Sequence, residues 1–527
     1  MNRTVTLRLA AVLTLCIVSS ILVFPSARAS GDVEPTAPPA IRITPPAPVF
    51  DEAKRLGELA ARRKRVAEAI GPKAVLVMFS GEPRVYANDV DYQFRQENNL
   101  YYLTNLGQQR ATLVLMPGNP VTPEVLFLPR RNPAAETWTG HMYSPQEAAQ
   151  LSGIKEIWEA REFAPFVTSL AKHEAYRPKP ENILLSSSTA NTNGFEGLFE
   201  AAIKNEAALY LLWVPREGES REYRQEQRFA ASWIKEPGGF TIQNASPIFA
   251  QLRLRKSPME LELMQHAIDI SIEAHQRAQA FASKAKWEYE VDAQVTYTFK
   301  LRNADNWGYP DIVGCGPNAT TLHYEESQGP VKAGQLMLMD VGAEYDHYSA
   351  DVTRTFPVNG KFSKEQAEIY QIVYDAQEAA AKASKPGATL SDVHLASLAV
   401  IKDGLLRLGL ITDRDSEQYR IWFMHGNGHW LGMNVHDVGG GAKFEPGMTF
   451  TNEPGIYVRL DALDNLPRDP ANEKLIAAVR PAFEKYKGIG VRIEDDMLIT
   501  PEGVKWMTAA LPRSIADIEA FIAQARR

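Results

Sequence analysis

The sequence predicts an α/β N-terminal domain followed by a larger α+β C-terminal domain. Between residues 51 and 248, short apolar runs typical of strands alternate with helical segments, which is the pattern of an α/β domain. Between residues 249 and 527, helical segments precede groups of strand-like segments, and this order occurs twice, as in an α+β domain. The composition, 45% hydrophobic and 23% charged, is that of an ordinary globular protein.

The first 50 residues are predicted to form a targeting segment and a leader. Arg3 and Arg8 precede the apolar stretch 9–24, which is shorter than the about 20 residues of a membrane span, and an A-x-A cleavage site ends at Ala29. We therefore expect residues 1–29 to be a signal peptide that exports the chain to the periplasm or the extracellular space, with an uncleaved anchor as the alternative. Residues 30–50 are rich in proline, which predicts an extended, mobile leader.

Charge and cysteine content exclude several classes of partner and bond. The formal net charge is −7 and the chain has no basic block, so nucleic acid is not an expected partner. Because the apolar stretch belongs to a cleavable signal, no stable membrane anchor is expected. Cys16 leaves with the signal peptide, and Cys315 then has no partner for an internal disulfide.

The N-terminal domain, residues 51–248, is predicted from one charged helix and a set of apolar strands. The helix spans residues 51–70, and the strands are expected at residues 74–79, 111–116, 125–128 and 182–186. Residues 217–236 form a polar segment that we interpret as a surface helix or lid without chemistry.

The C-terminal domain, residues 249–527, is predicted from clear helix-start signals. Ser257, Pro258 and Glu260 form a capping box that opens a helix to about residue 282, and Ser363 opens another to about residue 383. The further helices and strands are expected at residues 289–304, 312–316, 321–324, 391–408 and 491–500. The repeated order of helices and then strands suggests an internal duplication.

Residues 336–357 are predicted to form an antiparallel hairpin that carries two aspartates. The apolar run 336–339 leads into Asp340, and Asp351 precedes a second strand-like run. A turn centred on Tyr345 and Asp346 would place the aspartates directly opposite each other, with Cβ atoms about 4.5–5.5 Å apart. Such carboxylates repel unless a cation lies between them. The alternative is a pair of ordinary turn acids on a solvated hairpin.

Three histidines lie close together in the sequence HGNGHWLGMNVHDVGGG. His425 and His429 have helical spacing, but Gly426 and Gly428 disfavour a helix. We therefore expect a loop or irregular strand whose backbone approaches a ligand closely. The alternative is that these residues and His436 are unrelated surface and core histidines.

Two glutamates stand at strand boundaries near the C-terminus. Glu453 ends the run 448–452 and is followed by proline, and Glu494 interrupts an apolar run. Strand alternation places Arg492, Glu494 and Asp496 on one face. Each glutamate could equally be a helix cap, a surface ion pair or a turn acid.

The combination of these residues indicates a dinuclear metal site. Four carboxylates balance two divalent cations, and one imidazole adds a neutral ligand. This donor set contains no thiolate and favours Mn²⁺, Co²⁺, Fe²⁺ or Zn²⁺ over copper or a structural zinc. The five candidate ligands are Asp340, Asp351, His429, Glu453 and Glu494.

Several motifs resemble those of aminopeptidase P, the Xaa-Pro aminopeptidase family, and more distantly those of prolidase. They are DVGAEYDHYSADVTRTFPVNGKF, HGNGHWLGMNVHDVG, NEPGIY and GVRIEDDMLIT, with DYQFRQENNLYYLTNL in the N-terminal half. The resemblance runs from about residue 60 to 520. It implies that the α+β domain has the pita-bread (creatinase/aminopeptidase-like) fold of dinuclear metallopeptidases.

The resemblance also implies a role for each site residue. Asp351 and Glu494 would bridge two metal ions, Asp340 would hold one ion, and His429 and Glu453 would hold the other. His323 and His436 match histidines beside the scissile bond. His425 and Arg492 match supporting residues. The metals implied are two Mn²⁺ ions, with Co²⁺, Fe²⁺ or Zn²⁺ as alternatives.

The implied reaction is hydrolysis of the bond between an N-terminal residue and a penultimate proline, by a metal-activated bridging water. Peptides of this type would be the substrates, and self-association into a homo-oligomer is expected. The alternatives are a prolidase restricted to Xaa-Pro dipeptides, a metal-free hydrolase resembling creatinase, and a non-catalytic interaction protein on the same fold. Two departures from the family pattern are Asp346-His347, in place of a glycine-containing turn, and Asn434, in place of an acid.

Overall fold

The computed structural model describes residues 41–186, 194–212 and 223–526. The predicted signal peptide, residues 30–40 of the leader and residues 217–222 of the polar segment lie outside this part of the chain. Within the described residues, no helix is both long and apolar enough to span a membrane.

The N-terminal half alternates helices with short strands, as the sequence predicts. Its elements are α1 Glu52–Ile70, β1 Ala74–Phe79, β2 Val85–Ala87, β3 Val90–Asp91, α2 Asn98–Thr104, β4 Thr112–Leu115, β5 Glu124–Leu128, α3 Pro133–Thr139, α4 Pro145–Ser152, β6 Ile157–Glu159, α5 Phe163–Ala171, β7 Ile183–Leu185, α6 Glu196–Ile203, β8 Ala207–Leu211, α7 Arg224–Trp233, β9 Phe240–Asn244 and α8 Ser246–Leu254. The polar segment thus contributes α7 where it is described.

A mixed sheet in the order β7-β6-β5-β4-β1-β8-β9 forms the centre of this domain. Strand β1 is almost wholly buried, because its alternate side chains enter two different cores. Val75 and Val77 pack with helices on one face, whereas Leu76 and Met78 join a core that continues into the C-terminal domain. A sheet covered on both faces explains the unbroken apolar run in the sequence.

The C-terminal half contains two successive groups of helices followed by strands. Its elements are α9 Pro258–Phe281, α10 Glu288–Leu301, β10 Asn306–Trp307, β11 Ile312–Cys315, β12 Leu336–Asp340, β13 Ala343–Tyr345, β14 Tyr348–Ser349, β15 Thr353–Pro357, α11 Lys364–Ala383, α12 Leu390–Leu408, β16 Thr449–Asn452, β17 Gly455–Tyr457, α13 Pro470–Tyr486, β18 Gly490–Arg492, β19 Asp495–Thr500, β20 Gly503–Trp506 and α14 Ile515–Ala525. The predicted order is confirmed, whereas an internal duplication stays a prediction.

The helix starts of this domain form as the sequence predicts, and one predicted strand does not. Both Ser257 and Ser363 accept a hydrogen bond from the backbone N–H three residues on, which completes their capping boxes. Residues 321–324 form a turn rather than a strand, because they follow directly on a short 3₁₀ helix that ends at Thr320.

Antiparallel strand groups surround the middle of the C-terminal domain. Strand β12 lies between β11 and β15, strand β19 lies between β16 and β20, and β17 pairs with β18. Side chains join the groups: the Thr355 hydroxyl of β15 donates to the Arg492 carbonyl of β18 over 2.9 Å. This packing brings strand ends from distant parts of the sequence to one place.

The described part of the leader is extended, but it is bound rather than mobile. Ile41 and Thr44 are buried against the C-terminal domain. The Thr44 backbone N–H and hydroxyl both donate to the Glu273 carboxylate of α9, at 2.7 and 2.6 Å. Arg42 donates to Asp269 over 2.7 Å. Proline patterning did not reveal these contacts, because they depend on polar groups of a distant helix.

We predict that Thr44→Val destabilises the protein, because it removes a hydrogen bond to a charged carboxylate while the size of the side chain is kept. The free energy of unfolding should fall by about 1.5 kcal/mol, measured by urea denaturation. Val49→Ala is the matched control, since Val49 in the same segment is 95% exposed. Equal stability of the Thr44→Val variant and the unmodified protein would show that the leader is not bound in solution.

Candidate metal centre

The hairpin that carries Asp340 and Asp351 forms, but its register differs from the predicted one. Tyr345 pairs with Tyr348, so the turn is Asp346-His347, and Asp340 lies opposite Thr353 rather than Asp351. The prediction of direct opposition is therefore wrong. Asp351 lies two residues before Thr353, and because side chains alternate along a strand, both aspartates still point to the same face.

Helix α9 fixes the hairpin from behind. The Ala343 backbone N–H donates to the Ser271 hydroxyl over 2.9 Å, and His275 Nε2 lies 2.9 Å from the Val352 carbonyl oxygen. The Asp351 backbone N–H donates to Asp496 over 3.2 Å. These three contacts hold the backbone on both sides of the aspartates.

His429 and Glu453 reach the same pocket from neighbouring backbone segments. Residues 425–436 form a loop, as the glycines predict. The loop is attached to β16 because the Thr451 backbone N–H donates to the His429 carbonyl over 2.9 Å and the Glu453 N–H donates to the Asn427 carbonyl over 2.9 Å. Pairing at the end of the strand therefore sets the positions of both side chains.

Glu494 enters the pocket at a break between β18 and β19. The Glu494 backbone N–H donates to the Thr353 carbonyl over 3.1 Å, and the Thr353 hydroxyl donates to the Glu494 carboxylate over 2.6 Å. A strand end from the second group is thereby attached to the hairpin of the first group.

The five predicted ligands lie around a single pocket. His429 Nε2 is 3.2 Å from Asp351 Oδ2 and 3.4 Å from Glu453 Oε1. Ligand atoms of Asp351, His429 and Glu494 all lie within 4.8 Å of one another. Asp340 is close enough to Asp351 for their charges to interact, and Arg492 Nη2 donates to the Asp340 Oδ2 over 2.5 Å.

The pocket is electrostatically unfavourable for the acids that line it. Burial raises the pKa of Asp340, with Asp351 adding to the rise and Arg492 opposing it. Burial together with Asp351 and Glu453 raises the pKa of Glu494 well above its usual range. Burial raises the pKa of Glu453 to about 7, opposed by His429.

The pKa of His429 is also raised, but for a histidine this shift favours the charged form. Burial lowers its pKa, but the hydrogen bond to Asp351 and the charge of Glu453 outweigh that effect and raise the pKa to about 9. A proton on His429 therefore supplies positive charge between the carboxylates.

The donor set fits two divalent cations. Three buried carboxylates, the half-buried carboxylate of Glu453 and one imidazole converge, and their positive neighbours are too few to balance them. Divalent ions would remove the repulsion that raises the carboxylate pKa values. Oxygen-rich ligands with one nitrogen suit Mn²⁺ and related ions.

The remaining predicted site residues surround this cluster. Arg492 is buried, and besides Asp340 it contacts the Tyr457 hydroxyl over 2.9 Å. His436 is exposed, with its ring centroid 4.4 Å from that of His429. His323 is exposed in the turn 321–324. His425 Nε2 lies 2.9 Å from the Tyr457 hydroxyl, and burial, reinforced by Arg492, lowers the pKa of His425 to about 3.

The sequence did not reveal the role of three residues that hold the ligands. The buried Tyr309 hydroxyl donates to Asp340 Oδ1, and Thr353 and Asp496 make the contacts described above. Thr353 and Asp496 lie inside the quoted motifs, so their proximity to the ligands was a usable signal. Tyr309 lies outside every motif.

Comparison with known proteins agrees with this arrangement. Residues 262–501 match metallopeptidase family M24, and residues 59–177 match the N-terminal domain of aminopeptidase P. The chain is 34% identical over 473 residues to Xaa-Pro aminopeptidase of Haemophilus influenzae, which covers 88% of this chain and 96% of that protein. Its identity to Xaa-Pro aminopeptidase of Escherichia coli is 30%, over 89% of this chain and 98% of that protein.

Solved structures give the same result. The structure of Escherichia coli aminopeptidase P with the inhibitor Pro-Leu superposes with a TM-score of 0.73 at 29% identity, over 89% of this chain and 99% of that one. The structure of the zinc-substituted Escherichia coli enzyme in complex with product also has a TM-score of 0.73 at 29% identity. The match covers 90% of this chain and 99% of that one. The predicted fold, an α/β N-terminal domain with a pita-bread catalytic domain, is confirmed.

The fold and the family match define the chain as a metal-dependent hydrolase, a peptidase of family M24. Within that class, it belongs to the Xaa-Pro aminopeptidase family.

We predict that metal uptake releases more than one proton per chain at pH 7. His429, with a pKa of about 9, is then protonated, and Glu453, with a pKa of about 7, is half protonated, and both must lose protons to bind metal. Calorimetric titration with Mn²⁺ in buffers of different ionisation enthalpy measures the number released. His425→Ala should leave the number of released protons unchanged, because His425, with a pKa of about 3, is already neutral at this pH. Metal binding without proton release would contradict the described electrostatics.

Proposed function

We propose that the chain is an exported Xaa-Pro aminopeptidase that removes the N-terminal residue from peptides whose second residue is proline. The observation that carries the proposal is the convergence of five metal-type donors from distant segments, in a chain similar along most of its length to proteins of that name. Export is inferred from the signal-like residues 1–29.

Asp351 and Glu494 are proposed to bridge two metal ions, Asp340 to hold one, and His429 and Glu453 to hold the other. Two bound divalent ions would supply a water with a pKa near neutrality and a Lewis acid for the scissile carbonyl. Mn²⁺ is the first choice, because the donors are mostly carboxylate oxygens. The bridging role of Asp351 is supported by the position of its carboxylate, which lies 3.2 Å from His429 and has a ligand atom within 4.8 Å of one of Glu494.

Glu453 is proposed to be the general base and acid. Its carboxylate lies within the ligand cluster, 3.4 Å from His429, so it can take a proton from a water that the metal ions would activate and return it. The leaving group of an Xaa-Pro bond is a tertiary amide nitrogen, which must gain a proton before it can depart as an amine. Glu453 therefore delivers its proton to the proline nitrogen.

Four other residues are proposed to position the substrate and the ligands. His323 and His436 are exposed, and His436 lies close enough to His429, Asp351 and His323 to interact with them electrostatically, so both could donate hydrogen bonds to the developing oxyanion. Arg492 orients Asp340 through their 2.5 Å contact. His425 lies 3.9 Å from the Glu453 carboxylate and contacts the Tyr457 hydroxyl, which in turn accepts a hydrogen bond from Arg492.

Self-association, which the family resemblance implies, stays a prediction. Tyr101 and Tyr102, the aromatic pair of the N-terminal motif, contact their own chain instead: Tyr101 contacts the hairpin turn and Tyr102 packs under Arg62. These two residues are therefore poor candidates for contacts with a neighbouring subunit.

Cleavage of a short peptide series tests the proposed function. We expect the Mn²⁺-loaded chain to release arginine from Arg-Pro-Pro and to leave Arg-Ala-Ala intact. The matched control is Asp351→Asn, which keeps the shape of a bridging ligand but removes its charge, and should abolish cleavage and lose at least one metal ion. Cleavage of Gly-Pro but not Arg-Pro-Pro would instead make the chain a prolidase, and absence of metal and of cleavage would leave the non-catalytic alternative.

A further inference from the structure

The turn at the tip of the ligand hairpin has an unusual backbone. Asp346 and His347 have φ values of 49° and 68°, both in the left-handed region that strains residues with a Cβ atom. A two-residue turn of this kind normally contains glycine or asparagine. A strained pair persists where its side chains make contacts that glycine cannot make.

Both side chains contact helix α2 of the N-terminal domain. The His347 ring stacks on Tyr101, with centroids 3.8 Å apart and planes inclined by 17°. The Tyr101 hydroxyl donates to the Asp346 carboxylate, and His347 Nδ1 lies 3.2 Å from Asn98 Oδ1. One tyrosine thus contacts both residues of the turn.

Neighbouring contacts extend this attachment along the hairpin. Arg95 of the N-terminal domain forms an ion pair with Glu344 over 2.6 Å, whereas the Tyr348 hydroxyl donates to Glu260 of helix α9, in the C-terminal domain, over 2.8 Å. Below these polar contacts, Tyr348, Ala350 and Val352 join a continuous apolar core that also contains Leu100 and Leu103 of α2. The N-terminal domain therefore holds the hairpin from its tip to the residues that flank Asp351.

We propose that Tyr101, Asp346 and His347 are positioning residues, through which the N-terminal domain fixes the hairpin that carries Asp340 and Asp351 and so maintains metal affinity. Asp351 is attached to Asp496 at the base of the hairpin, and the turn contact fixes the other end. Release of the tip lets the short strands β13 and β14 shift, which misplaces a ligand shared by both ions. The inference rests on the metal site of the proposed function.

The test is Mn²⁺ titration of the metal-free full-length chain by calorimetry, with urea unfolding of the same metal-free samples. His347→Gly removes the ring but suits the left-handed backbone, so it should fold. Tyr101→Ala removes both contacts, and Tyr101→Phe removes only the hydroxyl. Phe166→Leu is the control. Phe166 lies in the core on the other face of the N-terminal sheet, so its replacement should lower the unfolding stability without changing any contact of the hairpin.

His347→Gly and Tyr101→Ala should weaken Mn²⁺ binding by about 3- to 30-fold, with a smaller effect for Tyr101→Phe and no effect for Phe166→Leu. The loss of affinity in the double variant should be smaller than the product of the two single losses, because both changes remove the same stacking contact between Tyr101 and His347. Unchanged Mn²⁺ affinity in His347→Gly and Tyr101→Ala would overturn the proposal. So would an equal loss of affinity in Phe166→Leu at a similar loss of unfolding stability, because affinity would then depend on stability alone. Failure of the unmodified chain to bind Mn²⁺ would instead overturn the proposed function.

Discussion

The mutual repulsion of four acids is the constraint on which the structure of this enzyme depends. Asp340, Asp351, Glu453 and Glu494 share one pocket, and burial and proximity raise the pKa of three of them. A glutamate whose pKa is raised in the folded state keeps its proton up to a higher pH than it does in the unfolded chain. The metal-free protein therefore loses stability as the pH rises from about 4.5 to about 7, the window set by Glu453. Divalent ions remove this cost, so metal binding and folding stability are coupled.

The fold holds the acids close together despite this repulsion, because they stand where strands end. Asp340 ends β12, Glu453 follows β16, and Glu494 stands between β18 and β19, so backbone pairing fixes their positions up to the last residue. Side chains then orient the carboxylates: Arg492 and Tyr309 hold Asp340, and Thr353 holds Glu494. The N-terminal domain participates too, because its α2 contacts the tip of the ligand hairpin.

Much of the fold follows from local signals in the sequence. Strand β1, the capping boxes at Ser257 and Ser363, and the ligand hairpin were predictable because each depends on neighbouring residues. The hairpin register was not, since Asp346-His347 lacks the glycine that usually marks such a turn. The contacts of the leader and of Tyr309 were not predictable for a different reason. Their partners, Glu273 and Asp340, lie far away in the sequence. The contact between Tyr101 and the turn is likewise visible only in three dimensions.

The central claim is that five residues hold two metal ions, and anomalous X-ray diffraction from crystals of the Mn²⁺-loaded protein tests it most directly. The account predicts two manganese peaks in the pocket, with Asp351 and Glu494 in contact with both, Asp340 with one, and His429 and Glu453 with the other. A single peak, or peaks that these residues do not contact, would contradict the account.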